Sequence, residues 1–308
     1  MRLLITGGAG FIGSNLVRKA LDAGHEVTVL DDFSTGHKDN VSGLDVDVIE
    51  GSVLDQAALA EALHGAAAVI HLAALGSVPR SIEAPMASHM ANATGTLSVL
   101  EGARAAGVQQ VIVSSSSSVY GMNPALPKGE REWVRPMSPY AVSKLAAEQY
   151  VLAYQQSYGM ETLAFRFFNV YGPRQRAGHA YAAVIPVFID ALMAGRPVPV
   201  NGDGTQSRDF TYVGTVCRVL LDAVERRVTH PEPVNLAFGT NTTLNRLIEL
   251  LGAELGVDPA VERRPERAGD VRHSRADSSS LRSLFPDLQA VPLEQGLAET
   301  LAWFEVAR

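Results

Sequence analysis

The chain has 308 residues, a hydrophobic fraction of 46% and a formal net charge of −7, which suits a globular protein with one large domain or two smaller ones. The acidic balance, with no block of Lys and Arg, argues against a nucleic-acid partner. The single cysteine, Cys217, excludes a disulfide framework and a multi-thiolate metal site, and we predict no metal ion. No apolar run approaches the ~18 residues of a membrane span. We therefore expect a cytoplasmic protein with no membrane partner.

Six short apolar runs, rich in β-branched residues, are predicted as strands: 2–6, 26–30, 45–49, 67–72, 109–114 and 161–167. Amphipathic stretches between them predict helices at 11–23, 85–106 and 139–157. Strands that alternate with helix-length segments are typical of a parallel sheet with helices on both faces. The fold class we predict is α/β, with a doubly wound parallel sheet of the Rossmann type and a smaller C-terminal lobe.

The alternation of strand and helix ends near Tyr171. Polar, Gly-rich loops such as GPRQRAG and NGDGTQSRD follow it. We therefore predict one domain over residues 1–171, to which 206–232 return, and a smaller lobe made of 172–205 and 233–308.

A glycine loop follows the first predicted strand. Gly7, Gly10 and Gly13 open the first helix, and Asp31 ends the second strand. Glycines in this context allow a tight turn and the close approach of a pyrophosphate to a helix N-terminus, while an acid such as Asp31 bonds an adenosine ribose. Because the acid repels a 2′-phosphate and no Arg follows it directly, the pattern favours NAD over NADP.

A tyrosine and a lysine lie four residues apart in SPYAVSK, on one side of a predicted helix. The phenol of Tyr140 has an ordinary pKa near ~10, and we expect the Lys144 ammonium and a nicotinamide cation to lower it. Five serines, Ser114–Ser118, end a predicted strand. A doubly wound sheet places its ligand crevice at that edge, so we interpret them as part of a site and not as a hinge.

These motifs together resemble the extended short-chain dehydrogenase/reductase family, and in particular its nucleotide-sugar epimerases and dehydratases. The resemblance spans essentially the whole chain, in family order: ITGGAGFIG, HLAALGSVPRS, NATGT, SSVYG, SPYAVSK, RFFNVYGPRQ, NGDGTQSRDFTYV and GDVRHSRAD. It implies that Ser116 bonds the 4-hydroxyl of the sugar while Tyr140 removes its proton and hydride passes from C4 to NAD. The catalytic residues are then Ser116, Tyr140 and Lys144.

The same resemblance implies a set of cofactor-binding residues. They are Gly7, Gly10, Phe11, Ile12, Gly13, Asp31, Asp32, Ser34, Thr35, Gly36, Ser52, Val53, Leu72, Ala73, Ala74, Asn92, Tyr140, Lys144 and Phe167. Three stretches depart from the family pattern, at Ser52, at Gly214–Thr215 and at NLAFGTN, residues 235–241. Ser52 replaces an Asp that contacts adenine, so we expect NAD to bind less tightly. Gly214 and Thr215 replace two acids, and we expect the following helix to be reshaped.

The residues at positions 117 and 118, directly after Ser116, decide between two reaction types. By resemblance, 4,6-dehydratases carry an Asp–Glu pair at the positions of Ser117 and Ser118. A hydroxyl cannot replace a carboxylic acid in expelling hydroxide. The sequence therefore favours 4-epimerisation over dehydration.

The resemblance also implies the residues that hold a UDP-sugar. They are Gly76, Ser77, Ser116, Ser117, Tyr140, Asn169, Ala183, Val184, Arg208, Arg272 and Ser274. Arg208 and Arg272 would hold the diphosphate. In the family, a small residue at the position of Ser274 admits an acetamido group that a Tyr would exclude. LGSVPRS and YAAVIP look most like epimerases that prefer N-acetylated substrates.

We therefore expect an NAD-dependent UDP-sugar 4-epimerase acting on UDP-GlcNAc and UDP-GalNAc, and also on UDP-Glc and UDP-Gal. UDP-glucuronate 4-epimerases share many of these motifs and remain an alternative. A nucleotide-sugar reductase and a non-catalytic NAD-sensing protein are further alternatives. The family commonly dimerises through a two-helix face, and we expect a homodimer that uses the helix predicted at 85–106.

Overall fold

The computed structural model describes residues 1–177, 182–266 and 272–306. The strands in these ranges are β1 (Arg2–Thr6), β2 (Glu26–Asp31), β3 (Asp47–Glu50), β4 (Ala68–His71), β5 (Gln110–Ser116), β6 (Glu161–Phe167), β7 (Val170–Tyr171), β8 (Val198–Asn201), β9 (Ser207–Arg208), β10 (Thr211–Tyr212), β11 (Val234–Leu236), β12 (Thr242–Thr243) and β13 (Val261–Arg264). The α-helices are α1 (Phe11–Asp22), α2 (Gln56–Leu63), α3 (Val78–Glu83), α4 (Pro85–His89), α5 (Gly95–Ala105), α6 (Pro139–Tyr158), α7 (Val184–Met193), α8 (Val213–Glu225), α9 (Leu244–Leu255), α10 (Ser279–Leu284) and α11 (Leu293–Val306).

Seven strands form one parallel sheet in the order β3-β2-β1-β4-β5-β6-β11. This order is that of the doubly wound dinucleotide-binding fold and confirms the predicted fold class. The six predicted strands are its first six in chain order. The seventh, Val234–Leu236, escaped prediction because three residues after a Pro-rich turn carry no readable alternation.

Both faces of the sheet are covered, because successive strand residues point to opposite sides. Leu3 and Ile5 of β1 belong to the core on the side of α1 and α8. Leu4, between them, belongs to the core that α2, α5 and α6 close. Burial on both faces is why these strands read as continuous apolar runs.

The helix predicted at 85–106 is not regular throughout. α4 and α5 are joined by one π-helical turn, Met90–Thr94, a widened turn that occurs mostly at functional sites. Asn92 lies in this turn and is 1% exposed. The local distortion therefore has a buried polar side chain at its centre.

The C-terminal part contains small two-stranded pairings, β8 with β13 and β9 with β12. The predicted division at residue 233 assigns β11 to the smaller lobe, whereas β11 is hydrogen-bonded to β6 of the main sheet. The division into two lobes otherwise stays a prediction.

α8 begins at Val213 despite the departure at Gly214 and Thr215. A Cβ at Gly214 would lie 2.6 Å from the Tyr212 ring, and the buried Thr215 hydroxyl accepts a hydrogen bond from the backbone N–H of Val291 at 3.2 Å. The helix therefore forms with a glycine and a buried threonine at these two positions. Among the described helices, none is both long and apolar enough to cross a membrane.

Candidate functional site

The carboxyl ends of the sheet strands gather the predicted cofactor residues at one edge. Between β1 and α1, Gly7 has φ +70° and its N–H donates to the Leu30 carbonyl at 2.8 Å. A Cβ at Gly13 would lie 2.1 Å from the Gly7 carbonyl oxygen, and one at Gly7 would lie 2.7 Å from the Ala73 nitrogen. Only glycine fits at these two positions. The loop therefore approaches both the helix and the end of β4 closely.

Asp31 ends β2 beside this loop and is 6% exposed. Its carboxylate accepts hydrogen bonds from the Ala9 and Phe33 backbone N–H groups, both at 2.9 Å. Burial raises the pKa of Asp31, and the two N–H donors oppose that rise. The neighbouring Asp32 is exposed and accepts from Ser34. An anchored acid next to a glycine loop fits the ribose end of a dinucleotide.

The loops after β3 and β4 complete this edge. Ala73 N–H donates to the Thr6 hydroxyl at 3.3 Å, which joins the Leu72–Ala74 segment to β1. The Ser52 hydroxyl accepts from the Leu54 N–H at 3.2 Å. Four of the other predicted cofactor residues lie beside the glycine loop: Thr35 and Gly36 in the loop after β2, and Phe11 and Ile12 at the start of α1. Val53 lies against Gly95, and Phe167 of β6 is the register partner of Ser116 of β5.

Each of the five serines has a different environment. Ser114 receives hydrogen bonds from Lys144 Nζ, at 2.7 Å on its carbonyl and 3.3 Å on its hydroxyl. Ser115 donates to Glu148 at 2.7 Å. The Ser116 hydroxyl accepts from the backbone N–H and the hydroxyl of Ser118.

Ser117 is partly exposed, and the described part of the chain gives its side chain no hydrogen-bond partner. Its hydroxyl is therefore the one in this run left for an external group. The run lies at the end of β5 and in the 3₁₀ segment that follows it, and its role as a site stays a prediction.

Tyr140 and Lys144 lie on the first turns of α6, whose N-cap Ser138 accepts from the Ala141 N–H. Burial raises the pKa of Tyr140, and a hydrogen bond with Ser116 lowers it. Burial also lowers the pKa of Lys144 to about 8. The Lys144 ammonium is bonded to Ser114 at the end of β5, and its effect on the phenol pKa stays a prediction.

A buried ion pair lies behind β5 and was not predicted. Arg166 of β6 bonds both oxygens of Glu148 on α6, at 2.9 and 2.7 Å, and the two side chains are 4% and 0% exposed. The guanidinium also stacks over the Tyr120 ring, 4.7 Å from its centroid. Because Ser115 bonds the same carboxylate, the pair fixes α6 against the strand that carries Ser116. Glu148 lies one helical turn beyond Lys144, which is the sequence signal that could have located it.

A second buried chain of hydrogen bonds joins the glycine-loop strand to α6. His71 is bonded to the Thr6 hydroxyl at 2.7 Å and to the Thr96 hydroxyl at 3.0 Å. Thr96 donates its own proton to the Asn92 carbonyl at 2.6 Å, so His71 Nε2 must carry the proton and Nδ1 must accept from Thr6. Burial lowers the pKa of His71 to about 3, which keeps it neutral. Asn92 continues the chain to Ser143 of α6 at 2.9 Å.

The predicted substrate residues Arg208, Arg272 and Ser274 meet at a second cluster. Ser207 N–H donates to the Arg272 carbonyl at 3.0 Å, and Ser274 N–H donates to the Ser207 carbonyl at 3.1 Å. Arg208 Nη1 reaches the Arg272 carbonyl at 3.2 Å. Arg272 itself is 66% exposed and lies 3.5 Å from Asp203. Two cations and a small side chain are thus adjacent at one surface.

Asp209 anchors this cluster from below and was also missed. It is 0% exposed, and its carboxylate accepts from the backbone N–H groups of Gly239, Thr240 and Ala276 at 3.0 to 3.2 Å. Two separate segments of the C-terminal part, 239–240 and the one that contains Ala276, therefore converge on one carboxylate.

The remaining predicted substrate residues are less closely connected. Asn169 has φ +26°, a left-handed conformation that Asn tolerates, and its amide donates to the Asp209 carbonyl at 3.4 Å. Ser77 caps α3, and Gly76 before it has open space at its Cβ position. Ala183 and Val184 begin α7, and no hydrogen bond in the described ranges ties them to Arg208, Arg272 or Ser274. Tyr181 and residues 269–271 of the quoted motifs lie outside the described residues.

Comparison with known proteins places this geometry in context. The model of the NAD dependent epimerase/dehydratase family matches residues 3–237. A UDP-glucose 4-epimerase of Mycolicibacterium smegmatis is 36% identical over 315 residues, covering 99% of this chain and 98% of that protein.

Two solved structures superpose over the whole chain. A UDP-N-acetylglucosamine 4-epimerase from Methanobrevibacter ruminantium, in complex with UDP-N-acetylmuramic acid, is 37% identical with a TM-score of 0.94, covering 100% of this chain and 99% of its own. A UDP-glucose 4-epimerase from Thermotoga maritima, with UDP-glucose, is 35% identical with the same TM-score of 0.94 and the same coverage.

Proposed function

Because the chain belongs to the NAD dependent epimerase/dehydratase family, whose cofactor is NAD, we propose that it interconverts the C4 epimers of a UDP-sugar. The observation that carries the proposal is the cluster at the end of β5. Lys144 is bonded to Ser114, two residues before Ser116 on the same strand, Tyr140 lies one turn before Lys144 on α6, and positions 117 and 118 hold hydroxyls where a dehydration would need acids.

The chain's own residues supply the proton chemistry. Tyr140 Oη, once ionised, takes the proton of the sugar 4-hydroxyl, and Ser116 donates a hydrogen bond that stabilises the phenolate. The positive charge of Lys144, held by Ser114, favours the same ionised state. The glycine loop and Asp31 would hold NAD, which would supply the acceptor of the C4 hydride and, once the 4-keto sugar has turned over, its donor. Protonation by the Tyr140 hydroxyl then completes the product.

We propose UDP-GlcNAc and UDP-GalNAc as the preferred pair. Ser274 is a small, partly buried residue whose backbone N–H donates to the Ser207 carbonyl. Because its backbone is held there, the size of its side chain determines how much space is left for the acetamido group of the sugar. The chain is nearly equally similar to a UDP-N-acetylglucosamine 4-epimerase and to a UDP-glucose 4-epimerase. Because overall similarity does not choose between the two sugars, we base the choice on Ser274. The cations Arg208 and Arg272 suit the diphosphate.

The test is a substrate panel followed by proton NMR in the anomeric region. Purified protein, with and without added NAD, is incubated with UDP-GlcNAc, UDP-Glc or UDP-glucuronate, and the Tyr140→Phe variant is the control. UDP-GalNAc as the fastest-formed product supports the proposal. Product from another sugar alone would retain the epimerase and reject the acetylated substrate. Consumption of external NADH would indicate a reductase, and NAD binding without any turnover would indicate a sensor.

We also propose that the protein is a homodimer through a face that we call the α4/α6 face. It carries exposed apolar side chains on packed helices: Ile82 of α3 and Met86 of α4 are 65% and 70% exposed, and Val142 of α6 is 51% exposed. Val78, Met90 and Tyr150 extend it. Such a contiguous apolar surface is typical of a protein interface.

The oligomeric state can be measured by light scattering after size-exclusion chromatography. Wild-type protein should have the mass of two chains, and Met86→Glu should release monomers because a charge would be buried between copies. Val257→Glu, an equally drastic change at a 44% exposed site elsewhere, should leave the mass unchanged. A monomeric wild type would reject the dimer.

A further inference from the structure

A single buried amide lies between the cluster at the end of β5 and the substrate cluster around Ser274. Asn235 of β11 is 0% exposed. Its Nδ2 donates to the Lys128 carbonyl at 2.8 Å and to the Asp277 carbonyl at 3.1 Å. Its Oδ1 accepts from the Tyr120 hydroxyl at 2.7 Å. One side chain therefore joins three segments that are distant in the sequence.

The orientation of this amide is determined by its partners. Carbonyl oxygens only accept hydrogen bonds, so the NH₂ end must face Lys128 and Asp277 and the oxygen must face Tyr120. Burial raises the pKa of Tyr120 to about 12, so the phenol keeps its proton and remains the donor. An aspartate has no donor for the two carbonyls, and an apolar side chain makes none of these bonds. The site therefore requires an amide.

The bond to Tyr120 reaches the end of β5. Tyr120 ends the 3₁₀ segment Ser117–Tyr120, of which Ser116 is the N-cap. The ring is 1% exposed, and its centroid lies 4.7 Å from the Arg166 guanidinium. The far end of the segment that begins after Ser116 is therefore held by packing and by one hydrogen bond to β11.

The bonds to Lys128 and Asp277 reach the substrate cluster. The Lys128 N–H donates to the Arg275 carbonyl at 2.8 Å, and the Asp277 N–H donates to the Lys128 carbonyl at 2.9 Å. Ser274 comes directly before this backbone pairing. Asn235 therefore holds the segment that carries Ser274 from its C-terminal side.

We propose that Asn235 is a positioning residue: its amide fixes the register between the end of β5 and the segment that carries Ser274. The inference rests on the proposed function, in which the UDP-sugar is held at the second place and reacts at the first. A shift of about 1 Å between the two places can cost about a hundredfold in rate. Asn235 does not itself touch the sugar in this scheme.

Two tyrosine variants separate register from stability. Tyr120→Phe removes only the hydroxyl that bonds Asn235 and keeps the ring against Arg166. Tyr171→Phe makes the same change at a tyrosine that is 2% exposed and donates to the Leu293 carbonyl at 3.2 Å. Because each variant loses one buried hydrogen bond, their midpoints of urea unfolding should fall by similar amounts.

The first readout is turnover of the UDP-sugar that the substrate panel identifies. We expect kcat of Tyr120→Phe to fall about three- to tenfold, as the loss of one hydrogen bond of the amide implies. The Kd of UDP alone, measured by calorimetry, should stay within about twofold of the wild type, because UDP does not reach the end of β5. Tyr171→Phe should keep the wild-type kcat.

The second readout needs no substrate. Hydrogen–deuterium exchange of the purified protein, followed by mass spectrometry, reports the opening of individual segments. In Tyr120→Phe, the peptides that contain Ser118 and Asp277 should both exchange about three- to tenfold faster, because the amide between them has lost one partner. In Tyr171→Phe, both peptides should exchange at the wild-type rate.

The outcomes are distinct for the two proposals. Faster exchange at Ser118 with unchanged exchange at Asp277 overturns the positioning role, because the two segments would then not be coupled. Equal kcat values for Tyr120→Phe and Tyr171→Phe also overturn it, because the bond to Asn235 would then have no specific effect. If no UDP-sugar is turned over but exchange rises in both peptides, the proposed function fails and the coupling through Asn235 stands.

Discussion

The two polar clusters of this protein differ in how firmly they are held. At the end of β5, Glu148 and Arg166 are 0% and 4% exposed in their side chains and bonded in two places. At the substrate cluster, Arg272 is 66% exposed and reaches Asp203 only at 3.5 Å. Both clusters carry charge, but the ion pair of the first is buried, whereas Arg272 of the second lies at the surface.

The difference follows from the cost of burying charge. A buried ion must be fully paired, so its neighbours have one arrangement, whereas an exposed Arg exchanges partners with water at little cost. We infer that the proton chemistry is fixed by the fold, and that the choice of sugar depends on a few residues near the surface. Four variants test this contrast.

The largest effect is expected for Tyr140→Phe, which removes the ionisable oxygen from the rigid cluster. Loss of a general base should lower kcat about a thousandfold while NAD binding is retained. The measurement is initial rate by NMR together with NAD retained after gel filtration. Tyr158→Phe, the same change at the far end of α6 where the ring is 56% exposed, should keep the wild-type rate. A near-normal rate for Tyr140→Phe would remove it as the base.

The second effect concerns stability. Glu148→Gln leaves the Arg166 guanidinium buried with no countercharge, and should lower the free energy of unfolding by about 3–5 kcal/mol. Urea unfolding measures it. The matched variant is Glu249→Gln, which breaks an exposed pair with Arg246 at 3.1 Å and should cost less than about 1 kcal/mol. Equal losses in the two variants would refute the contrast between the clusters.

The third effect is on the pH profile. Since burial lowers the pKa of Lys144 to about 8, its charge is present below that pH and lost above it, and the rate should fall about tenfold per unit above pH 8. Unfolding would not explain the fall. The folded state binds fewer protons than the unfolded state between pH 8 and ~10.4, so this group makes stability rise with pH there. In Lys144→Arg, whose side chain stays charged, the alkaline fall should vanish from the remaining activity; its persistence near pH 8 would assign it to another group.

The smallest effect is expected at the exposed cluster. Ser274→Tyr should reduce kcat/KM for UDP-GalNAc about 10- to 100-fold relative to UDP-Gal, because the phenol would occupy the room for the acetamido group. Ser274→Ala, which stays small, should keep the wild-type ratio. Equal losses on both sugars in Ser274→Tyr would show that this position does not select the substrate.

Local patterns in the sequence were enough to predict the sheet and its edge. The first six strands of the sheet carry short apolar runs, and the spacing of the glycines between β1 and α1 is typical of a tight turn. What the sequence did not show are contacts between distant segments. Glu148 meets Arg166 across α6 and β6, and Asp209 gathers Gly239 and Ala276 from two loops, and no periodicity encodes such pairings.

The Tyr140–Lys144 spacing shows the same limit at the scale of one helical turn. Four residues place both side chains on one face of α6, as predicted. The partner of Lys144 is nevertheless decided by β5, whose end offers it the Ser114 carbonyl. A helix pattern alone cannot contain that information.

The most direct test of the central claim follows deuterium at the reacting carbon. Protein incubated with UDP-[4-²H]GlcNAc and no external reductant is examined by proton and deuterium NMR. A hydride that leaves C4 and returns to C4 within one enclosed site predicts UDP-GalNAc with the deuterium retained at C4. Product that has lost the deuterium to solvent, or a 6-deoxy-4-keto sugar in its place, would contradict the assignment of this cluster to 4-epimerisation.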